Sequence, residues 1–469
     1  MNSITDKFVA EKSSINSVSN FFDRFRLASE LKRAGAYKQK GFSVSSIVKY
    51  LISLVYTGKS MFQDLRSETP LAQGFKKDVV YRFLTQTFIN WQTFLLSVAF
   101  KIIAMIDKLT STERNSAFVL DDSMYQVPYA KKTELVSKVY DHAEKGKNKY
   151  KWGFRMLTLA WTDGISLIPL AFRHLASSDK KNVRCASKEK IDKRSCAYKI
   201  RKEAVSKATE VLLTQLWMAI KAGIRASYVL FDSWFAYPIT IMKIKSMGLS
   251  VVARVKDTTK IKYLFNGEKM TLKEIFRVNK KRRGKSRYLL SVLITLYATD
   301  DKGKEIMLPA KLVYVRNKAK RNEWIGLIST DLSLSEEDII ALYGKRWDIE
   351  VFFKVCKSYL KLTGEFHQLS YEAITAHTTV VMIRYMMLSV QKRTQEDPRS
   401  MGDLFFAAFD ELSDIKFEQA LILLMSLLVE TFNDADLGLP EELVEEIMDK
   451  FIQKLPSNIR SCLCPHFGT

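Results

Sequence analysis

AFVLDDSMY, residues 117–125, places four core-type residues directly before a pair of aspartates, and YVLFDSWF, residues 228–235, places four before a single one. An apolar run of four is the length of a buried strand, so a carboxylate that follows it emerges where the strand leaves its sheet. Working outward, Ala117–Leu120, Arg155–Trp161, Ile165–Phe172, Tyr228–Phe231 and Val251–Val255 all have strand length and composition. Asp163-Gly164 between the second and third reads as a tight turn. Helical periodicity fills Ala204–Ala222 and Pro238–Met247. A three-strand meander followed by strand and helix alternation predicts an α/β fold with a mixed five-stranded sheet.

The flanks have a different character. Residues 1–110 show apolar spacing near 3.6 at Val44–Tyr56 and Val80–Ile106, with no strand-like alternation. Ser43, Ser45 and Ser46 suit the cap of one helix there. A helix-turn-helix unit and a plain helical bundle both fit this segment. Residues 256–332 read as a β-rich insertion with strands at Arg287–Ala298 and Lys311–Tyr314. It carries Lys280, Lys281, Arg282 and Arg283 in KKRRGKSR, a candidate phosphate-contacting β-hairpin. Asp179–Lys202, crowded with cations, reads as a mobile loop. Helical pattern resumes at Ser335, and Asp397-Pro398 marks a boundary. The expected domains are therefore 1–110, 111–400 with the insertion, and 401–469.

Charge points to the partner. The chain of 469 residues has 74 Lys and Arg against 51 Asp and Glu, a formal charge of +23. A surplus of that size draws a protein to a polyanion by counterion release. The balance reverses in residues 401–450, where thirteen acids face Lys416 and Lys450. An acidic surface repels DNA, so this domain, with apolar Leu421–Leu428, is expected to pair two copies of the chain as a homodimer. No uninterrupted apolar run reaches the ~20 residues of a membrane span, and no signal peptide is legible, so a cytoplasmic protein without membrane contact is expected. Five cysteines without a CxxC pair argue against a disulfide framework. Cys462, Cys464 and His466 lack a fourth partner and read as a chance cluster.

The third candidate acid sits in ALYGKRWDIEVFFKVCKSYL, residues 341–360. At 100° per residue, Tyr343, Arg346, Glu350, Lys354 and Lys357 fall on one helical stripe about 80° wide. The remaining apolar residues, Trp347 and Val351 among them, are expected to bury the rest of the helix. Three carboxylates suit Mg²⁺ or Mn²⁺, hard ions that prefer oxygen. Two such ions about 4 Å apart support in-line phosphoryl transfer.

These residues resemble the DDE transposases of bacterial cut-and-paste insertion sequences, specifically the group named after insertion sequence four. The helix signature of that group is Y-x2-R-x3-E-x6-K, which Tyr343, Arg346, Glu350 and Lys357 match at every gap. LDDSMY and LFDSWF look like its two aspartate motifs, and a β-rich insertion before the glutamate is also its habit. The resemblance covers residues 110–395 and implies an RNase H-like catalytic core. It implies Asp121, Asp232 and Glu350 as catalytic metal ligands, with Tyr343, Arg346 and Lys357 on phosphates of double-stranded DNA at the element end. The group's spacing of acid and hydroxyl selects Asp121 over Asp122, because Ser123 is two residues on. Trp324 in EWIGLIST occupies the place where related enzymes stack an aromatic on a flipped base. A core tryptophan fits that position equally. The implied function is cleavage of terminal repeats through a hairpin intermediate and joining to target DNA. A transposase-derived regulator that no longer cuts and an RNase H-like nuclease without end specificity are the alternatives.

Overall fold

The computed structural model describes residues 16–38, 40–67, 71–72, 74–110, 114–141, 149–188, 190–283, 286–317, 323–365, 368–394, 401 and 441–454. Among these residues six α-helices come first: α1 (Asn16–Arg24), α2 (Leu27–Arg33), α3 (Val44–Leu54), α4 (Met61–Leu65), α5 (Lys77–Leu84) and α6 (Trp91–Lys108). Ser43 caps α3 by accepting a hydrogen bond from the Ser46 amide at 3.0 Å. The other ends of the chain's core return to these helices through α13 (Tyr371–Thr394), every residue of which from Tyr371 to Val390 is buried. By length and composition α13 is the one helix among the described residues able to cross a membrane, yet it lies wholly inside the fold. Its Arg384 is fully buried and donates to the carbonyls of Leu51, Ile52 and Leu360 and to both oxygens of Glu365. A buried cation so fully satisfied ties α3 to the end of the chain's core.

The sheet is mixed. β1 (Ala117–Gln126) runs antiparallel to β3 (Tyr150–Thr162) and parallel to β5 (Tyr228–Phe231), which is parallel to β6 (Ser250–Val255). β4 (Leu167–Leu175) returns antiparallel to β3 through the Asp163-Gly164 turn, where Gly164 holds φ at +92°. A non-glycine residue would be strained there. β2 (Ser137–Tyr140) pairs with the start of β3 on the same edge as β4, and its four residues are too short to stand out in the sequence.

Three expectations need correction. The sheet holds eleven strands, since β7 (Tyr263–Phe265), β8 (Glu268–Met270), β9 (Tyr288–Thr299), β10 (Glu305–Arg316) and β11 (Trp324–Ser329) extend it, with β11 antiparallel to β6. The open edge of β6 offers unpaired backbone groups, and β11 satisfies them. The described residues of the basic run, 280–283 and 286–287, follow a helix, α10 (Leu272–Val278), which Thr271 and Glu274 start with a capping box, and none of them lies in a strand, so they form no β-hairpin. The basic stretch 179–202 is not simply a loop. It ends in α7 (Cys196–Ala204), whose Arg201 is buried against Glu134 and Glu372, so a cation of the expected mobile loop is consumed by two interior carboxylates. The helix predicted over Ala204–Ala222 is α8 (Ala208–Lys221), and α9 (Pro238–Ser246) follows β5 as expected.

Of the acidic end, α14 (Glu441–Lys454) is described. Leu421–Leu428, Asp397-Pro398, Gly284, Cys462, Cys464 and His466 lie outside the described residues.

Candidate active site

Register places the acids before any side chain is considered. Leu120 pairs with Phe231 and Phe231 with Ala253, so Asp121, Asp232 and Arg254 stand next in one row across β1, β5 and β6. Asp232 follows the last residue of β5, as expected of a strand end. Asp121 does not end its strand, because β1 keeps its antiparallel pairing with β3 as far as Gln126. What ends at Leu120 is the parallel pairing with β5. The acid therefore sits where one neighbour stops, a boundary on one edge that the apolar run alone reports as the end of the strand.

The two neighbouring aspartates diverge as strand alternation requires. Asp121 Oδ2 accepts from Arg346 NH1 at 2.7 Å and its Oδ1 from the Asp122 amide at 2.8 Å. Asp122 pairs instead with Arg155 of β3. Burial pushes the Asp121 carboxyl up to about 7; the Arg346 guanidinium opposes the rise and the Asp232 carboxylate adds to it. Burial also raises Asp232, whose Oδ1 accepts from the Trp234 amide at 2.9 Å.

Glu350 arrives on a helix that differs from the one expected. The segment breaks into α11 (Glu336–Gly344) and α12 (Trp347–Ser358), joined by a turn in which Lys345, Arg346, Asp348 and Ile349 amides donate three residues back. Gly344 weakens the helix at this point, where the tighter three-residue turn takes over. Arg346 and Glu350 remain on one face: Arg346 NH2 donates to Glu350 Oε1 at 2.5 Å. The guanidinium thus bridges Asp121 and Glu350. Lys357 Nζ donates to Ser123 Oγ at 2.6 Å, and Lys354 is exposed. Tyr343 is half-buried with the Arg346 guanidinium over its ring. Trp347 and Val351, expected inside, are 63% and 42% exposed, because only the flank carrying Ile349, Phe352, Phe353, Val355 and Cys356 meets the core.

The remaining candidates gather elsewhere. Trp324 is half-buried, its ring 4.7 Å from that of Tyr314 and 5.2 Å from that of Phe276. Lys281 lies over Phe276 and Arg282 over Tyr288, both within the insertion, while Lys280 and Arg283 are exposed. Arg254 was missed by sequence reasoning. It is exposed and bears electrostatically on both Asp232 and Tyr343. A lone cation in the apolar strand SVVARV was the available signal.

Among the described residues, no three His, Cys, Asp or Glu side chains are grouped closely enough to hold a metal ion. The donors that flank Arg346 are carboxylate oxygens, the ligand chemistry hard divalent ions prefer. The cations around them, Arg254, Arg346, Lys354 and Lys357, supply what a phosphodiester needs beside such an ion.

Comparison with known families agrees with this chemistry. Residues 50–266 match the family model described as DDE superfamily endonuclease. Residues 191–387 match the one described as Transposase DDE domain. The first span contains Asp121 and Asp232, the second Asp232 and Glu350. No curated protein matches the chain. The two matches support a DDE transposase, an enzyme of nuclease type whose substrate is DNA and whose superfamily generally uses divalent metal ions.

Proposed function

We propose that this DDE transposase belongs to the insertion-sequence-four group, that it binds the terminal inverted repeats of a mobile element, cuts them through a hairpin intermediate and joins them to target DNA. The observation that supports the reading is the Arg346 guanidinium, which joins the carboxylates of Asp121 and Glu350 from distant parts of the chain. Asp121 and Asp232 stand side by side in strand register, and α12 brings Glu350 within reach of one shared guanidinium. The antiparallel β4-β3-β1 meander with β5 and β6 parallel to β1 supports an RNase H-like core beneath them.

In this reading Asp121, Asp232 and Glu350 hold Mg²⁺ or Mn²⁺. Such ions, held there, would supply the Lewis acidity that in-line displacement at a phosphodiester needs. Arg346 turns from the carboxylates to a phosphate of the element end, where a planar fork suits two oxygens. Tyr343, Lys354, Lys357 and Arg254 line the same strand of DNA. Lys280, Lys281, Arg282 and Arg283 meet the duplex backbone farther along, on the insertion. For Trp324, the neighbouring Phe276 and Tyr314 rings support a structural part, with the half-exposed edge available to a base. Residues 1–110 contribute end recognition, and residues 401–469 pair two chains, so that each acts on an end held partly by the other. A chain ending at Ser400 should then fail to assemble paired ends. The enzyme works in the cytoplasm, on nucleoid DNA.

The test is incubation with the element's own ends and Mn²⁺, resolving nicked, hairpin and joined products. All three are expected in sequence. Binding without cleavage would favour a regulator, and cleavage indifferent to terminal sequence a general nuclease.

A further inference from the structure

The ladder formed by β2 and the start of β3 presents one outward face. Lys138 pairs with Trp152 and Tyr140 with Tyr150, while the alternate residues Ser137 and Val139 are buried. Alternation therefore gathers two tyrosines, a tryptophan and a lysine on the same side. Tyr150 is 64% exposed and Tyr140 38%, with their rings 5.4 Å apart in an edge contact. Large aromatic rings left this open on a strand pair are costly in water.

Cations cover the same face. The Arg184 guanidinium lies 4.0 Å and the Lys138 ammonium 5.6 Å from the Trp152 ring centre, and Lys149 lies over Tyr140. Arg184 is held in place, since its NH1 donates to the carbonyls of Pro128 and Ala130. The acid beside the face is Asp141, which acts electrostatically on Lys357. That interaction sets the face near the polar stripe of α12, where Lys357 reaches Ser123 of β1, the strand that carries Asp121 and also pairs with β3.

We propose that this face is a second DNA-contact surface, which grips the sugar–phosphate backbone of the duplex beside the reacting end. The inference rests on the transposase reading and goes beyond it, because none of these residues belongs to the carboxylate row or the helix signature. Protein interfaces are depleted in lysine at their centres, and desolvating three cations against a neutral partner is unfavourable. A polyanion satisfies them and releases counterions. The cations already lie over the Trp152 and Tyr140 rings, so phosphates rather than stacked bases are the fitting ligand.

The experiment uses the full chain with the double variants Lys138→Ala/Lys149→Ala and Lys138→Glu/Lys149→Glu, and the control Lys302→Ala/Lys304→Ala on the turn between β9 and β10. Binding of a duplex spanning the element end and its flank is titrated against salt. Each lost phosphate contact lowers the slope of log K against log salt by about 0.9, so the alanine pair should flatten it by about two and weaken binding about tenfold at physiological salt. The glutamate pair should weaken it further, and the control should match the unaltered protein. Equal slope and affinity in all four proteins would overturn the inference, as would an equal loss in the control. Failure of the unaltered protein to bind the duplex would instead remove the transposase reading beneath it.

Discussion

Replacing Arg346 with alanine removes the group that, among the described residues, hydrogen-bonds to both Asp121 and Glu350. The bond to Asp121, at 2.7 Å between side chains each 14% exposed, is charge-assisted and sheltered, worth about 1.5–3 kcal/mol. The bond to Glu350 is less sheltered, since that carboxylate is 37% exposed and lies four residues along the same helix; solvent screening reduces it to about 0.5 kcal/mol. Loss of the cation also leaves Asp121 beside Asp232 without a counter-charge. Proton uptake limits that penalty, because burial already holds the Asp121 carboxyl at about 7. The expected net loss is about 2–3 kcal/mol, read from urea unfolding midpoints at pH 7.5 without divalent ions. Arg346→Lys should fall between, because it keeps the charge and loses the two-pronged geometry. Mn²⁺ should restore the alanine variant more than the unaltered protein, since a cation then meets the same carboxylates. An alanine variant within 0.5 kcal/mol of the unaltered protein would refute the reasoning.

Three further outcomes follow from particular contacts. A methyl at Gly153 would lie 2.1 Å from the Tyr125 carbonyl oxygen, so Gly153→Ala must part the β1–β3 ladder that positions Asp121; a loss of about 3 kcal/mol or more in unfolding and a matching fall in cleavage are expected. His174 is buried and held neutral, with burial lowering its pKa to about 3. The unfolded chain takes up this proton below pH about 6.5 and the folded chain does not. Stability is therefore fully present above pH 6.5 and lost as pH falls toward 3, by about 2 kcal/mol at pH 5 from this group, and His174→Phe should flatten that limb of the unfolding curve. Arg201→Ala leaves Glu134 and Glu372 buried without their shared cation, and should cost about 3–5 kcal/mol in the same denaturant measurement.

Much of the fold was legible because it is written in short apolar runs. β5 and β6 lie within a residue of where Tyr228–Phe231 and Val251–Val255 placed them, and the Asp163-Gly164 turn closes the β3–β4 pair as its glycine implied. β2 escaped because four residues with two polar members carry no period. The continuation of β1 past Asp121 escaped because its polar half is held by β3 from the other edge, a tertiary fact. Charge misled twice. The stretch holding Arg201 looked like a mobile loop and the run after α10 like a β-hairpin, but Arg201 is neutralised inside on a helix and the described residues of the run carry no strand. In the site, spacing located Arg346 and Glu350 on one face. It could not reveal that Arg346 bridges to Asp121, which depends on how α12 docks against β1, nor that Arg254 stands beside Asp232, which depends on strand register.

The central claim is that Glu350 completes a metal-dependent site for DNA cleavage. Its most direct test is Glu350→Gln, assayed with Mn²⁺ and a duplex carrying the element end, beside unfolding and duplex-binding measurements on the same preparation. The substitution keeps shape and removes the anionic oxygen that a hard cation requires. Nicked, hairpin and joined products should all disappear while the unfolding midpoint and duplex affinity stay close to those of the unaltered protein. Cleavage retained by a folded, DNA-binding Glu350→Gln protein would contradict the account.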